Sequence, residues 1–535
     1  MQSHESVKAK TQLKKSTRAR AAHGEFVRKS KQSALNKRRR LPDEGVEDMD
    51  DLEFQKLLQA LAASPEHTLP ILEQMKTGLS ACSAERLDRV AESGVIPILL
   101  ELLERPSSTT MELTQILWCL TFITSGLYEH TRAVLPAVPT LLSFVETPEL
   151  AEHAAWTLGN IAADCEEFRL HLIRHGAIPP LVEHLHHPQN ADMLKVSLWA
   201  LSNMARGTQT SAKAFFDQDI GAVALALLQA NETPDVVQEL LWLLSFLTAK
   251  EDKYLHWLLE HDLLGGLLHH VDDKDSHVLT PLLRVCGNIC SVGPDAAEWQ
   301  LPYIHALASE PRFLFMLKRL LQLDHDPQVV AEAAWVTSNL AARDVSVVNT
   351  LVQHDFVQRL GLCFRDGGYE TRKEASFALY NIAVTAAYAP LVVEQDVLDG
   401  FVALLTVADP NVVANALSFV EHVLRHVPQG VFLVESAGGI DALESVQDGA
   451  SDYLATKAEQ LVNEFYGETY DAPLSPTSTS APSSSTSGIL LIIKHSHPHY
   501  HLAISFQGPP SSSSGGGGMG RGAHMTRPAW ATQQH

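Results

Sequence analysis

The ten residues Ala154-Ala155-Trp156-Thr157-Leu158-Gly159-Asn160-Ile161-Ala162-Ala163 read as one helix face after another, and they recur. Laid over them, in order, are Ile116 to Ser125, Ser197 to Arg206, Leu240 to Ala249, Leu282 to Ser291, Ala333 to Ala342, Ala375 to Val384 and Ala416 to Arg425. The copies return at a period of roughly 42 residues. Working outward from them, apolar residues keep a helical spacing from about residue 80 to 465, and strand-like alternation is scarce, with no βαβ signal. Each copy is followed by a second apolar helix that often opens on Gly, an aliphatic residue and Pro, as in Gly94-Val95-Ile96-Pro97 and Gly176-Ala177-Ile178-Pro179. Gly or Pro at such joints ends one helix and lets the next start at a sharp angle.

A period near 40 to 47 residues with two or three helices per unit marks HEAT or armadillo arrays, in which a unit buries its apolar face only against its neighbours. The expected fold is therefore all-α: a right-handed α-solenoid of about ten armadillo repeats over residues 80–467. The count includes a degenerate first unit around Arg86 to Glu104 and a last one around Val431 to Gly467, both acting as caps. Residues 46–79 read as an acidic linker and a first helix. Residues 468–535 read as a disordered tail, because Ser, Thr and Pro dominate 475–487 and Ser511 to Gly518 is a homopolymeric run. The apolar patch Ile489 to Ile493 inside that tail has no assigned role.

Charge divides the chain further. Of its formal net charge of -22, residues 1–45 contribute 13 Lys and Arg against 4 Asp and Glu, so the remainder stands near -31. A basic arm on an acidic body suits an acidic partner for the arm, or the body itself, and basic ligands for the body. It speaks against nucleic acid, whose phosphates most of the protein would repel. The N-terminus carries no secretory signal and no segment is long and apolar enough to cross a bilayer, so a soluble intracellular protein with no membrane insertion is expected. The six cysteines (Cys82, Cys119, Cys165, Cys286, Cys290 and Cys363) form no CxxC pair, which predicts reduced, mostly buried thiols and no metal site. The histidines around His495 to His501 lie in the low-complexity tail and indicate no designed site.

One position inside the repeats is not accounted for by a solenoid core. Trp156 precedes Asn160 by four, Trp199 precedes Asn203, and Trp335 precedes Asn339. Residues four apart share a helix face, so each pair presents an indole beside a carboxamide, and stacked repeats align the pairs into a ladder. Such a ladder suits an extended peptide. Asn offers donor and acceptor to peptide amides, and parallel Trp rings form slots for Lys or Arg stems. A single pair would read as ordinary core and surface. Three at matching positions, each with a mid-helix Asn that weakens the helix, imply a shared job.

The Trp-x-x-x-Asn ladder, the period and the basic arm together resemble the importin alpha (karyopherin alpha) family. The resemblance implies a nuclear import adaptor whose groove binds lysine-rich nuclear localisation signals, with no cofactor. It places a major signal-binding groove at Trp118, Trp156, Asn160, Trp199 and Asn203. There Gly126, Thr131 and Asp164 stand at the positions that hold the key signal lysine in the family. A minor groove falls at Arg284, Asn288, Glu332, Trp335, Asn339, Glu374, Phe377 and Asn381, with Arg284 separating the two. Phe122 stands where the first groove Asn is expected, and Phe377 where a minor-site Trp is expected. Trp242 with Phe246 and Ser418 with His422 depart as well.

The segment from Glu25 to Arg40, with Arg28, Lys29, Lys31 and the closing Lys37-Arg38-Arg39-Arg40, is similar to an importin-beta-binding segment. In the family that run also occupies the adaptor's own groove, giving autoinhibition. Leu443 to Tyr466, with Lys457, Glu459 and Glu464, is similar to the last repeat that engages an export receptor for recycling. The implied partners are cargo proteins with basic signals, importin beta and that export receptor, and the implied location is cytoplasm and nucleus, shuttling. No P-loop, nucleophile elbow or H-E-x-x-H pair is present, so no enzyme activity is expected. The alternatives are an armadillo-repeat scaffold or a degenerate adaptor with impaired cargo binding.

Overall fold

The computed structural model describes residues 51–63, 68–80, 84–207, 210–230, 232–291, 298–342, 344–447 and 452–467. The basic arm and the C-terminal tail lie outside them. Among the described residues every regular element is a helix, and no single helix is long and apolar enough to cross a membrane. The linker expected over 46–79 carries two helices, Asp51–Ala63 and Thr68–Ser80.

The chain divides into two compact units, Met1–His269 and His270–His535. In the first, the long helices Thr68–Ser80, Thr110–Ile123, Ala151–Asp164, Ala191–Ala205 and Pro234–Leu247 each pack on the next. Pairs of shorter helices precede them, such as Tyr128–Val134 with Val138–Val145 and Glu166–Arg174 with Ile178–His186. The second unit repeats the plan with Ser276–Cys290, Pro327–Ala341, Tyr369–Ala383, Pro410–His426 and Asp452–Tyr466 as its long helices, again packed in succession.

Local sequence sets the starts of these helices. Thr109 and Glu112 close a reciprocal capping box on Thr110–Ile123. Asn190, Asp326 and Asp409 cap their helices by accepting a backbone N–H, and Pro follows the cap in Pro327–Ala341 and Pro410–His426. The joint between the two short helices needs a left-handed residue. Glycine supplies it at Gly94 (φ 89°), Gly176 (φ 81°) and Gly438 (φ 76°), and aspartate at Asp219, Asp262, Asp355 and Asp396. Aspartate tolerates that conformation better than most side chains, so the joint survives where the glycine signal lapses.

The core is a row of layers between successive repeats, with Phe168, Phe215, Phe313, Phe356, Phe364, Phe401 and Phe419 wholly buried. Side-chain hydrogen bonds carry the repeat period directly. His184 meets the Val145 carbonyl at 2.7 Å, Tyr388 donates to Asn349 Oδ1 at 2.6 Å, and Cys363 Sγ donates to the Leu321 carbonyl at 3.2 Å, spanning 39, 39 and 42 residues. Such bonds tie each repeat to its neighbour alone, as a one-dimensional array requires. Cys119, Cys286, Cys290 and Cys363 are buried and Cys165 half-buried, all as free thiols. Burial pushes Cys119 and Cys286 up to about 12 and Cys363 up to about 11. Cys82 lies outside the described residues.

Candidate functional site

The recurrent asparagines form rungs between successive long helices. Asn160 Nδ2 donates to the Thr121 carbonyl at 3.0 Å, and Asn203 Nδ2 donates to the Gly159 carbonyl at 3.2 Å. In the second unit Asn339 Nδ2 donates to Gly287 O at 3.2 Å and Asn381 Nδ2 to Ser338 O at 2.9 Å. Each acceptor is the residue just before the corresponding ladder position of the preceding long helix: Thr121 before Phe122, Gly159 before Asn160, Gly287 before Asn288, Ser338 before Asn339.

The expectation that a solenoid core leaves this position unexplained is thus corrected. The fold uses the carboxamide N–H groups itself, each adding an inter-helix hydrogen bond to a carbonyl of the preceding long helix. The oxygens are another matter. Asn160 Oδ1 and Asn203 Oδ1 are buried and have no hydrogen-bond partner.

The tryptophans divide into two kinds. Trp199 and Trp335 are only 2% and 4% exposed. Each sits against a glycine of the preceding long helix: a Cβ on Gly159 would stand 2.1 Å from Trp199 Cζ3, and one on Gly287 would stand 1.9 Å from Trp335 Cζ3. Trp118, Trp156 and Trp242 are half-buried.

The Trp118 and Trp156 rings meet at 5.2 Å with an interplanar angle of 59°. They make a tilted contact and not the parallel slot expected, and His153 packs edge-on to Trp118 at 5.1 Å. Where Phe replaces Asn, it folds inward. Phe122 is buried and stacks on Trp118 at 6.0 Å and 29°, and Phe246 stacks on Trp242 at 5.9 Å and 25°. Phe377 is buried as well.

Gly126, Thr131 and Asp164 come from elements that pack together, since helix Tyr128–Val134 contacts both Thr110–Ile123 and Ala151–Asp164. Gly126 is sterically required: a Cβ there would lie 2.7 Å from His130 Nδ1 and 3.1 Å from the Ile123 carbonyl. Thr131 is wholly buried, its hydroxyl 3.4 Å from the Leu127 carbonyl and 3.5 Å from that of Thr124. Asp164 is half-buried and ends its helix. A carboxylate at a helix C-terminus adds to the negative end of the helix dipole.

In the second unit the acidic residues are partly spent. Arg284 pairs with Glu332 at 2.9 Å, and both are largely buried. Burial pushes the carboxyl of Glu374 up to about 8, and Glu332, Glu370 and Asp409 nearby add to the rise. Glu374 is therefore mostly uncharged at neutral pH. The acidic residues Asp164, Glu332 and Glu374 differ in kind: the low dielectric of the repeat interior neutralises the two glutamates, one by pairing and one by protonation. Asn288 beside them is half-buried.

Sequence reasoning passed over Lys76 and named Lys457 only through the resemblance of the last repeat. Lys76 Nζ, from Thr68–Ser80, lies 5.7 Å from the centroid of the Trp118 ring. Lys457 Nζ, from the last helix, donates to Ser418 Oγ at 3.2 Å and pairs with Glu421 at 2.7 Å. Lys76 lies in a helix without the repeat motif, so no local pattern pointed to it. Arg28, Lys29, Lys31, Lys37, Arg38, Arg39 and Arg40 lie outside the described residues.

A family model for the Armadillo/beta-catenin-like repeat matches residues 165–206. That span holds the three helices Glu166–Arg174, Ile178–His186 and Ala191–Ala205. The chain is 30% identical over 417 residues to importin subunit alpha-9 of Arabidopsis thaliana, an alignment covering 75% of this chain and 79% of that protein. It is 26% identical over 421 residues to importin subunit alpha-2 of Oryza sativa subsp. japonica, covering 75% and 78%. Among solved structures, an engineered protein superposes with a TM-score of 0.63 at 22% identity, over 78% of this chain and 98% of that one. The fold is an all-α armadillo-repeat solenoid.

Proposed function

The chain belongs to the importin alpha family, whose members are nuclear-import adaptors, and on that premise we propose that it binds lysine-rich nuclear localisation signals along its ladder helices. The observation that carries the reading is the meeting of the half-buried indoles Trp118 and Trp156, 5.2 Å apart, on two helices that pack together, the second of which ends at the Asp164 carboxylate. The half-buried indole of Trp156 takes an alkyl stem, and Asp164 at its helix C-terminus takes an ammonium head.

Gly126 shapes the turn that follows the Trp118 helix, and Thr131 anchors the next helix behind it. Arg284, Asn288, Glu332, Trp335, Asn339, Glu374, Phe377 and Asn381 form a second track. A lysine entering it draws Glu374 back to its charged form, so the second track binds more weakly at neutral pH than the first. Residues 1–45 engage importin beta and, without it, compete for the ladder through Lys37 to Arg40. The adaptor acts by binding alone, moves between cytoplasm and nucleus, and is recycled by an export receptor.

The test is a fluorescence-anisotropy titration of a labelled lysine-rich signal peptide into the full chain and into a chain lacking residues 1–45, at two salt concentrations. Micromolar or tighter binding, weakened by salt and strengthened by the deletion, is the expected result. Asp164→Lys should abolish it with helicity intact. Unchanged binding in Asp164→Lys would refute the first-track assignment. No binding by either chain would leave an armadillo scaffold or an impaired adaptor.

A further inference from the structure

Resting on the signal-receptor reading, we propose that Lys76 makes the Trp118 end of the ladder select for a carboxylate flanking the lysine cluster of a bound peptide and against a further cation. Three observations converge there. Lys76 Nζ stands 5.7 Å from the Trp118 ring centroid, on the indole that would otherwise take a ligand cation. Phe122 is buried against the same indole, so this position lacks the carboxamide present at Asn160 and Asn203. Among the described residues the contact given for the Lys76 ammonium is the Trp118 ring.

The neighbours do not cancel that charge. His153, edge-on to Trp118, is held below the usual imidazole range by burial and then by the Lys76 ammonium, so it is neutral at neutral pH. A ring whose face already carries an ammonium gains little from a second one, and two ammonium groups at such a distance repel. Lys76 is half-buried on its helix, which holds its stem in place while its amine stays in reach of a ligand. The track therefore changes sign along its length: anionic at Asp164, cationic at Lys76. A peptide that matches it carries a basic cluster with an acidic residue at one flank, a charge pattern that selects by repulsion as well as attraction.

The experiment uses the full chain and four labelled peptides sharing one lysine cluster. One pair differs by Glu or Lys at the N-terminal flank, the other by Glu or Lys at the C-terminal flank. Affinity ratios within a pair are unaffected by competition from the arm, which acts on both peptides alike. In the wild-type chain one pair should favour Glu by about five- to tenfold, the span between a modest attraction and an equal repulsion. In Lys76→Met, which keeps the stem and removes the charge, the ratio should fall to near one, and in Lys76→Glu it should invert. No flank preference in the wild type, or a preference unchanged in Lys76→Met, overturns the proposal while leaving the receptor reading intact. If none of the four peptides binds the wild type, the receptor reading itself fails and takes this one with it.

Discussion

Trp199 occupies the space that any side chain at Gly159 would need, since a Cβ there would stand 2.1 Å from the indole. In most helices Gly→Ala stabilises by about 0.5–1 kcal/mol through backbone entropy. Here the sign reverses, because the methyl group meets a large buried ring that is itself only 2% exposed and has nowhere to move. Gly159→Ala should destabilise by about 1–3 kcal/mol. Gly287→Ala, against Trp335 at 1.9 Å, should do the same in the second unit. Urea denaturation of each variant checks this, and a rise in midpoint would show that the indoles move aside.

The rung made by Asn203 and the Gly159 carbonyl predicts a loss with a distinctive order. Asn203→Ala removes the side-chain hydrogen bond to the Gly159 carbonyl, a loss of about 0.5–1.5 kcal/mol, offset slightly by the better helix propensity of Ala. Asn203→Asp removes the donor too and buries a charge beside a carbonyl, so it should be worse than Ala. If Asp proved milder than Ala in the same urea series, the hydrogen bond would not be what holds the two helices at this point.

The pair Arg284–Glu332 should behave as a buried ion pair. Arg284→Met strands the Glu332 carboxylate and should cost about 3–5 kcal/mol, whereas Arg284→Met combined with Glu332→Leu should recover most of that loss. A double-mutant cycle in thermal or urea melts reads the difference. Additive losses would mean that the two side chains do not depend on each other.

The period and helical pattern around Trp156 made the repeat fold legible, because stacking repeats impose the same apolar face again and again. Asn160 and Trp156 were legible as a recurring pair, but their division of labour was not. Sequence spacing says that two residues share a face and is silent on whether the neighbouring helix covers it. Gly159 and Gly287, each directly before a ladder Asn, were the signal that Trp199 and Trp335 would be covered. Lys76 was illegible for the opposite reason: it belongs to a cap helix without the motif, and only packing of Thr68–Ser80 on Thr110–Ile123 carries its amine to Trp118. The charge state of Glu374 likewise follows from burial that composition does not reveal.

That charge state gives a pH prediction with a definite sign. Burial raises Glu374 from 4.5 to about 8, so between those values the folded chain holds a proton that the unfolded chain releases. Stability from this group is therefore greatest at acid pH, falls as pH rises through the window, and is lost above about pH 8, with a slope of about 1.4 kcal/mol per pH unit at most. Glu374→Gln keeps the shape and removes the titration. Its urea midpoint should match the wild type near pH 5 and exceed it increasingly up to pH 8. An offset that stays constant across the window would show that Glu374 is charged in the folded chain, held so by Lys373 beside it, and the second track would then present a standing carboxylate to a ligand lysine.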